Sequence, residues 1–232
     1  MSMPSVWCVV PAAGRGTRVG GDCPKQYLML AGRPLIEHTL DRLIAHPRVA
    51  GVMVVLSKAD TRWSGVSQRD GKPVMTAVGG TERSDSVLAG IDALPESVAA
   101  DDFVLVHDAA RPCVRLADIG KLIDQGSMAD GGLLGAPLRD TLKLADEDFR
   151  STLTEPRDCR WRAFTPQMFR RAQLAAALSQ AAHDGVSVSD EAMAMERAGF
   201  APLLVEGAED NIKVTTAADF ALAEFLLPRT LG

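Results

Sequence analysis

Residues Val9 to Gln26 read VVPAAGRGTRVGGDCPKQ, and the fold follows from how this stretch begins and ends. An apolar run, Val6 to Val10, stops at Pro11 and gives way to a loop of Gly, Ala and Arg. A buried strand that empties into a flexible loop is how an α/β nucleotide domain begins, because the loop can aim its backbone N–H groups at phosphate. Gly14, Gly16, Gly20 and Gly21 let that backbone come close to a ligand. Arg15, Arg18 and Lys25 stand against the single Asp22, a local excess of cation in a chain of net charge −5. Two better-known loops are excluded. The dinucleotide fingerprint G-x-G-x-x-G fails because the third glycine comes one residue late, at Gly20, and no Gly-Lys-Ser/Thr follows for a Walker loop.

Outward from this loop, strand and helix patterns alternate. Pro34 to His46 places Leu35, Ile36, Leu40, Leu43 and Ile44 at helical spacing, with Pro34 suited to the first turn. Val52 to Leu56 reads as a second buried strand. Ala59 to Lys72 is polar and aperiodic, with Trp63 expected in the core. Val74 to Val78 is a third strand, running into Gly79-Gly80. Ser84 or Asp85 is expected to cap a helix that buries Val87, Leu88, Ile91 and Leu94. Phe103 to Val106 is a fourth strand and Leu133 to Ala136 a fifth. Pro166 is expected to open an Ala-rich helix reaching Ala182. Ser189, Asp190 and Glu191 read as the cap of a further helix, with capping the sole role of Asp190. Pro202 to Val205 and Asn211 to Thr215 (NIKVT) read as strands, and Ala217 to Leu227 as a closing helix. The alternation implies an α/β fold, a doubly wound, mostly parallel, Rossmann-like sheet.

The chain of 232 residues can form this as one domain, 1–232. A pI near 5.4 and the lack of a basic stripe argue against nucleic acid as partner. No apolar run reaches the length of a membrane span. MSMPSVW lacks the charged start and apolar core of a signal peptide. Cys8, Cys23, Cys113 and Cys159 include no C-x-x-C pair, so neither zinc nor a disulfide scaffold is expected. The cytoplasm is the expected compartment.

Two segments carry further chemistry. Phe103 to Val106 is followed at once by His107, Asp108, Ala109, Ala110, Arg111 and Pro112, and α/β proteins place ligands beyond the carboxyl ends of such strands. Asp108 suits a Mg²⁺ held mainly by phosphates and water; the plainer alternative is an Asp108–Arg111 pair bracing the loop. His107 has no Ser or Cys partner and reads as structural. Pro137 to Arg160 is strongly charged and too poor in apolar residues for a core. Within it, Thr141 to Leu144 and Ser151 to Thr154 are expected to pair as a hairpin around Ala145 to Asp148. A hairpin that cannot bury itself packs on something else, often another subunit.

PAAGRGTR followed by PKQY resembles the signature of the sugar-phosphate nucleotidyltransferases. PKQYL, DSVLAG, VHDAARP, RDTLK, TPQ, DEA and NIKVT, in the same order, resemble the cytidylyltransferases acting on 2-C-methyl-D-erythritol 4-phosphate. Those acting on ribitol 5-phosphate are the near alternative, and a non-catalytic nucleotide sensor is the alternative of another class. The resemblance implies a nucleotidyltransferase-type fold with a protruding β-arm, 137–160, that clasps a second subunit and completes its active site. It implies CTP held by Pro11, Ala12, Ala13, Gly14 and Gly16, with the base at Gly80, Thr81 and Ser86. Arg18, Lys25 and Lys213 would act on the reacting phosphates. The polyol phosphate would meet Asp108, Arg111, Thr165 and, from the arm, Thr141 and Arg157. Mg²⁺ on Asp108 and a homodimer complete the expectation. The substrate's own phosphate, with a second pKa near 6, is the expected nucleophile, so no protein base is required. Thr81 and Ser189 depart from the Asp and Thr common in the family.

Overall fold

The computed structural model describes residues 5–14 and 23–230; Arg15 to Asp22, and with them the expectations for Gly16 and Arg18, lie outside the described residues. In chain order the elements are β1 (Val6–Ala12), a short 3-10 turn (Lys25–Tyr27; another, Leu227–Thr230, follows the last helix), β2 (Met29–Leu30), β3 (Arg33–Pro34), α1 (Leu35–Ala45), β4 (Val49–Leu56), β5 (Gln68–Arg69), β6 (Lys72–Val78) and α2 (Arg83–Asp92). The second half adds β7 (Phe103–Val106), α3 (Leu116–Gly126), β8 (Gly132–Pro137), β9 (Leu142–Ala145), β10 (Ser151–Glu155), β11 (Trp161–Arg170), α4 (Arg171–His183), α5 (Glu191–Arg197), β12 (Leu203–Glu206) and α6 (Ala217–Leu226).

Among the described residues one sheet has eight strands in the order β12-β8-β11-β7-β1-β4-β6-β5. β1 pairs in parallel with β4 and β7, β4 with β6, and β8 with β12. Only the interposed β11 and the two-residue β5 run antiparallel to their neighbours. The central strands are apolar on both faces because helices cover both. Cys8, Val10, Val52, Val54 and Leu105 pack into one cluster with α1 and α3. The intervening Val9, Met53, Val55, Val104 and Val106 pack into another with α2, α4 and α5. This two-residue alternation is the strand period read through a sheet buried twice. From β1 the chain builds outward through β4 and β6, then returns to the opposite side of β1 for β7. The carboxyl ends of β1 and β7 therefore flank a topological switch point, where open α/β sheets form a crevice.

Several expectations are corrected. β1 continues through Pro11 to Ala12, in register with Leu56. Pro166 does not open a helix: β11 runs on to Arg170, pairing Gln167 with Val106 on one side and Leu133 on the other, with a register shift where Pro166 sits. NIKVT forms no strand, despite its β-branched residues. Its backbone docks as an irregular segment, with Val214 N–H on the Ala110 carbonyl at 2.8 Å. Neither Ser84 nor Asp85 is the N-cap of α2; Glu82 is, and the Asp85 carboxylate accepts the Glu82 N–H at 3.0 Å. Asp190 caps α5 as expected, and Glu191, read as part of the same cap, is the first residue of the helix and is fully buried. α3 had no counterpart in the sequence reading. Trp63 packs half-buried against the first cluster, as expected.

β9 and β10 pair antiparallel as a two-stranded sheet of their own, the hairpin expected within 137–160. Its turn is closed by Asp146, whose Oδ1 accepts the N–H of Asp148 and Arg150. Leu144, Phe149 and Leu153 all face solvent on this arm.

Candidate active site

A cleft of about 250 Å³ opens at the switch point. Its floor is the end of β1, Pro11 to Gly14, and its walls are Lys25 and Gln26, the segment Gly80 to Arg83 with Ser86, the loop Asp108 to Ala110, and Lys213. The sequence therefore brings together Pro11, Ala12, Ala13, Gly14, Lys25, Gly80, Thr81, Ser86, Asp108 and Lys213, drawn from separate segments of the chain.

Each wall is held by a specific bond. Gln26 donates its Nε2–H to the Ala12 carbonyl at 2.6 Å, tying the short turn that carries Lys25 to the end of β1. Thr39 on α1 donates its hydroxyl to the Ala109 carbonyl at 2.9 Å, which fixes the loop after β7. Gly79 and Gly80 are required by packing. A Cβ on Gly79 would lie 2.6 Å from Ser86 Oγ and 2.8 Å from the Ala13 side chain, and one on Gly80 would lie 2.4 Å from Asp85 Cβ. The glycine pair lets the first turn of α2 approach the end of β1 and so sets the width of the cleft.

Asp108 is the electrostatic centre. It is 7% exposed, and its Oδ1 is 3.0 Å from Arg83 while its Oδ2 is 2.8 Å from Lys213 Nζ and 3.8 Å from Arg111 Nε. Burial alone would raise its pKa, but the charges of Arg83, Lys213 and Arg111 hold the carboxyl well below the usual carboxylate range. Asp108 is thus a fixed anion. Arg83 is pinned from behind, its two terminal nitrogens donating to Glu191 Oε1 and Oε2 at 2.5 and 3.2 Å. Burial disfavours the Arg83 charge, yet Glu191 and Asp108 outweigh it and keep the guanidinium cationic.

Arg111 and Thr165 stand behind this wall and do not line the cleft. Arg111 donates to the Asn211 carbonyl at 2.6 Å, and its guanidinium lies 5.2 Å from the Phe164 ring centroid. The Thr165 hydroxyl oxygen accepts the Asp108 N–H at 3.0 Å. His107 Nε2 lies 3.0 Å from the Arg111 carbonyl, an acceptor only, so this nitrogen carries the hydrogen. Nδ1 then accepts from the Thr165 hydroxyl at 3.1 Å. Burial lowers the His107 pKa to about 4, so the ring is neutral near pH 7 and braces the loop. Its placement is the structural one expected.

The arm residues Thr141, Lys143 and Arg157 are exposed and do not line this chain's cleft. Arg157 donates to the Arg139 carbonyl, and Lys143 donates to Thr154 at 2.5 Å across the hairpin.

Among the described residues no three His, Cys, Asp or Glu side chains converge as a metal cage. A magnesium ion chelated by phosphates and water requires only one or two protein carboxylates, and Asp108 on the cleft wall meets that requirement. Four site residues escaped the sequence reading: Gln26, Glu82, Arg83 and Glu191. A signal existed for the last two. Arg83 stands one turn before the buried Val87, and Glu191 one turn before the buried Met195, so each falls on the apolar face of its helix.

Residues 6–229 match the family model described as IspD: 2-C-methyl-D-erythritol 4-phosphate cytidylyltransferase. Proteins of that name from Stenotrophomonas maltophilia strains K279a and R551-3 are 58% and 59% identical, covering 98% of this chain and 99% of their own length. Among solved structures, the Francisella tularensis protein of the same name superposes with a TM-score of 0.83 at 32% identity, covering 96% of this chain and 99% of that one. The Thermus thermophilus protein superposes with a TM-score of 0.78 at 29% identity, covering 97% and 99%. No ribitol phosphate enzyme stands among these relatives, so that alternative is not favoured.

Proposed function

Because the chain belongs to the 2-C-methyl-D-erythritol 4-phosphate cytidylyltransferase family, we infer that the cleft between β1 and β7 is where it performs that family's reaction. The reaction joins CTP and 2-C-methyl-D-erythritol 4-phosphate into the cytidine diphosphate alcohol and releases pyrophosphate, a step in isoprenoid precursor synthesis. The observation that carries the inference is the convergence of Lys25, Lys213 and Asp108 at one switch-point crevice that Gly80, Thr81 and Ser86 also line.

The substrate's phosphate is the nucleophile. Its second pKa near 6 makes it mostly a dianion at neutral pH. No proton must be removed, and His107 is sequestered from the cleft by its two bonds. What remains is electrostatic: an anion approaches a triphosphate, and charge builds on the α-phosphoryl oxygens. We assign Pro11 to Gly14, with Gly16, to backbone contacts with the nucleotide, and Gly80, Thr81 and Ser86 to the cytosine edge. Arg18 and Lys25 act on the reacting phosphates. Lys213, held at 2.8 Å from Asp108 yet 42% exposed, has the reach to exchange that carboxylate for phosphate. A Mg²⁺ on Asp108 would neutralise triphosphate charge when bound. Arg111 and Thr165 serve the polyol phosphate by holding the Asp108 loop against it.

The arm completes the site. Hairpin 137–160 projects from the single nucleotidyltransferase unit, 1–232, and exposes Leu144, Phe149 and Leu153, which suits docking on a second copy of the chain. In such a homodimer Thr141 and Arg157 would reach the partner's polyol phosphate, where the guanidinium fork fits phosphate oxygens. Cys8, Cys23, Cys113 and Cys159 are free thiols, which suits a reducing cytoplasm.

A pyrophosphate-release assay with CTP and a panel of polyol phosphates tests the function. Turnover should be fastest with 2-C-methyl-D-erythritol 4-phosphate, dependent on Mg²⁺, and at least about 100-fold slower with ribitol 5-phosphate, whose polyol would leave polar groups unpaired. Equal turnover of the two, or none with the first, contradicts it.

A further inference from the structure

We propose that Glu191 is a positioning residue for cytidylyl transfer, acting through Arg83 to hold the Asp108 carboxylate against Lys213 at the wall of the cleft. The proposal rests on the reading of Asp108 given above.

Three observations carry it. First, Glu191 is a fully buried carboxylate whose two oxygens are both taken by Arg83. Burying such a pair is costly, and an apolar pair of similar volume often serves stability as well or better. A role beyond packing follows when one member has a third contact of chemical use. Second, Arg83 has that contact. Glu191 takes both terminal nitrogens of the fork, while the Nε–H points at Asp108 Oδ1, 3.0 Å away, and the terminal nitrogen shared with Glu191 Oε2 lies 3.0 Å from the same Asp108 oxygen. The guanidinium is planar and rigid, so fixing two nitrogens fixes the third. Arg83 also lines the cleft and opens α2. Released from Glu191, it could rotate into the cleft and pair with triphosphate, leaving Asp108 to Lys213 and Arg111.

Third, the start of α5 is fastened to Asp108 by a second route. Gln167 Oε1 accepts the Ala192 N–H at 2.8 Å, and its Nε2 donates to Asp190 Oδ2 at 3.0 Å. Capping is therefore not the sole role of Asp190. Two residues earlier on β11, Thr165 holds the Asp108 N–H. The side chain of Asp108 is thus referenced to α5 through Arg83, and its backbone through β11. The chemistry fits the need. A carboxylate that must present one oxygen to a phosphate-bound cation, and release Lys213 at the right moment, has to be held from the side away from the substrate.

The test compares Glu191→Gln, Arg83→Gln and the double variant in the full-length protein, with Asp108→Asn as the reference. Glutamine keeps the volume and one hydrogen bond but removes the charge. Glu191→Gln should fold, by thermal melt and circular dichroism, and lose at least about 10-fold in kcat, as removal of supporting groups behind a ligand does. KM for CTP should move by less than about threefold, since an interaction that acts on turnover alone leaves binding in place. The double variant should lose no more than Arg83→Gln alone, because one residue works only through the other. A kcat for Glu191→Gln within about twofold of wild type, or losses that multiply in the double variant, overturns the proposal. Should Glu191→Gln fail to fold, the double variant carries the test, since it removes both members of the ion pair together and leaves no uncompensated charge at the buried Glu191 position. A double variant within about twofold of wild type then overturns the proposal, and one as slow as Asp108→Asn supports it. An inactive wild type, or a fully active Asp108→Asn, refutes instead the functional reading underneath.

Discussion

Lowering the pH should destabilise this fold through His107, and the size of the loss follows from its surroundings. The ring is wholly buried and neutral, bonded to the Arg111 carbonyl and the Thr165 hydroxyl. Burial takes its pKa from 6.5 down to about 4; the Arg111 carbonyl and the Asp108 carboxylate oppose the shift, and the Arg111 charge adds to it. The folded value lies below the unfolded one, so between them the unfolded chain binds the extra proton. Stability from this group is complete above about pH 6.5 and is lost as the pH falls toward about 4, at about 1.4 kcal/mol per pH unit. The whole span is worth roughly 3 kcal/mol. His46 is lowered the same way, by burial and then by Arg48 and Lys72, and adds a slope of the same sign. The perturbation that isolates His107 is His107→Gln, which retains a donor for the Arg111 carbonyl. Denaturant midpoints for both proteins, measured between about pH 7 and about pH 5, give their stability difference. That difference should shrink by about 2 kcal/mol over this range, because only the wild type loses the His107 contribution. A difference that stays flat within about 0.5 kcal/mol would mean the ring titrates alike in both states, and the neutral brace would be wrong.

Lys25→Ala should lower kcat by at least about 100-fold with the fold intact by circular dichroism, as loss of one preorganised donor does; retention of more than about a tenth of the activity refutes its role. Arg18→Lys should be similarly impaired, since a point charge cannot replace a fork of donors. Thr39→Val removes the bond to the Ala109 carbonyl and should cost about 1–3 kcal/mol in denaturant stability, with an unchanged melt arguing against that tether. The acid limb of kcat/KM should follow ionisation of the substrate's phosphate near pH 6, and should move when a phosphonate of different second pKa replaces it; a limb that stays put points to an ionising protein group.

The parts of this fold legible from sequence were those whose signal is local. The run Val6 to Val10 and its glycine loop marked β1 and the cleft floor, and the short apolar runs of β4 and β7 marked the central sheet. Legibility failed where tertiary context prevailed. Pro166 resembles a helix opener, but β11 is held as a strand by β7 and β8 on its two sides. NIKVT has strand formers, but its polar groups are claimed by the loop after β7 and by β11: Val214 N–H bonds the Ala110 carbonyl, the Asn211 carbonyl accepts from Arg111, and the Asn211 side chain donates to the Thr165 carbonyl. α3 shows Ile119, Leu122 and Ile123 at helical spacing, a pattern overshadowed by the VHDAARP segment before it. In the site, Lys25, Asp108 and Lys213 stood in recognisable motifs. The Arg83–Glu191 pair joins residues 108 positions apart, and each alone reads as an ordinary charge near a helix start.

The claim that cytidylyl transfer occurs in this cleft, completed by a partner's arm, is tested most directly by mixing two inactive chains. Lys25→Ala and Arg157→Ala homodimers should each be nearly dead. Unfolded and refolded together, about half the dimers should be hybrids by random pairing. In each hybrid one site carries both lesions, and the other takes Lys25 from one chain and Arg157 from its partner and is intact. Activity should return to roughly a quarter of the wild-type value per site. No recovery, with hybrid dimers demonstrated by native mass spectrometry, would contradict the shared site.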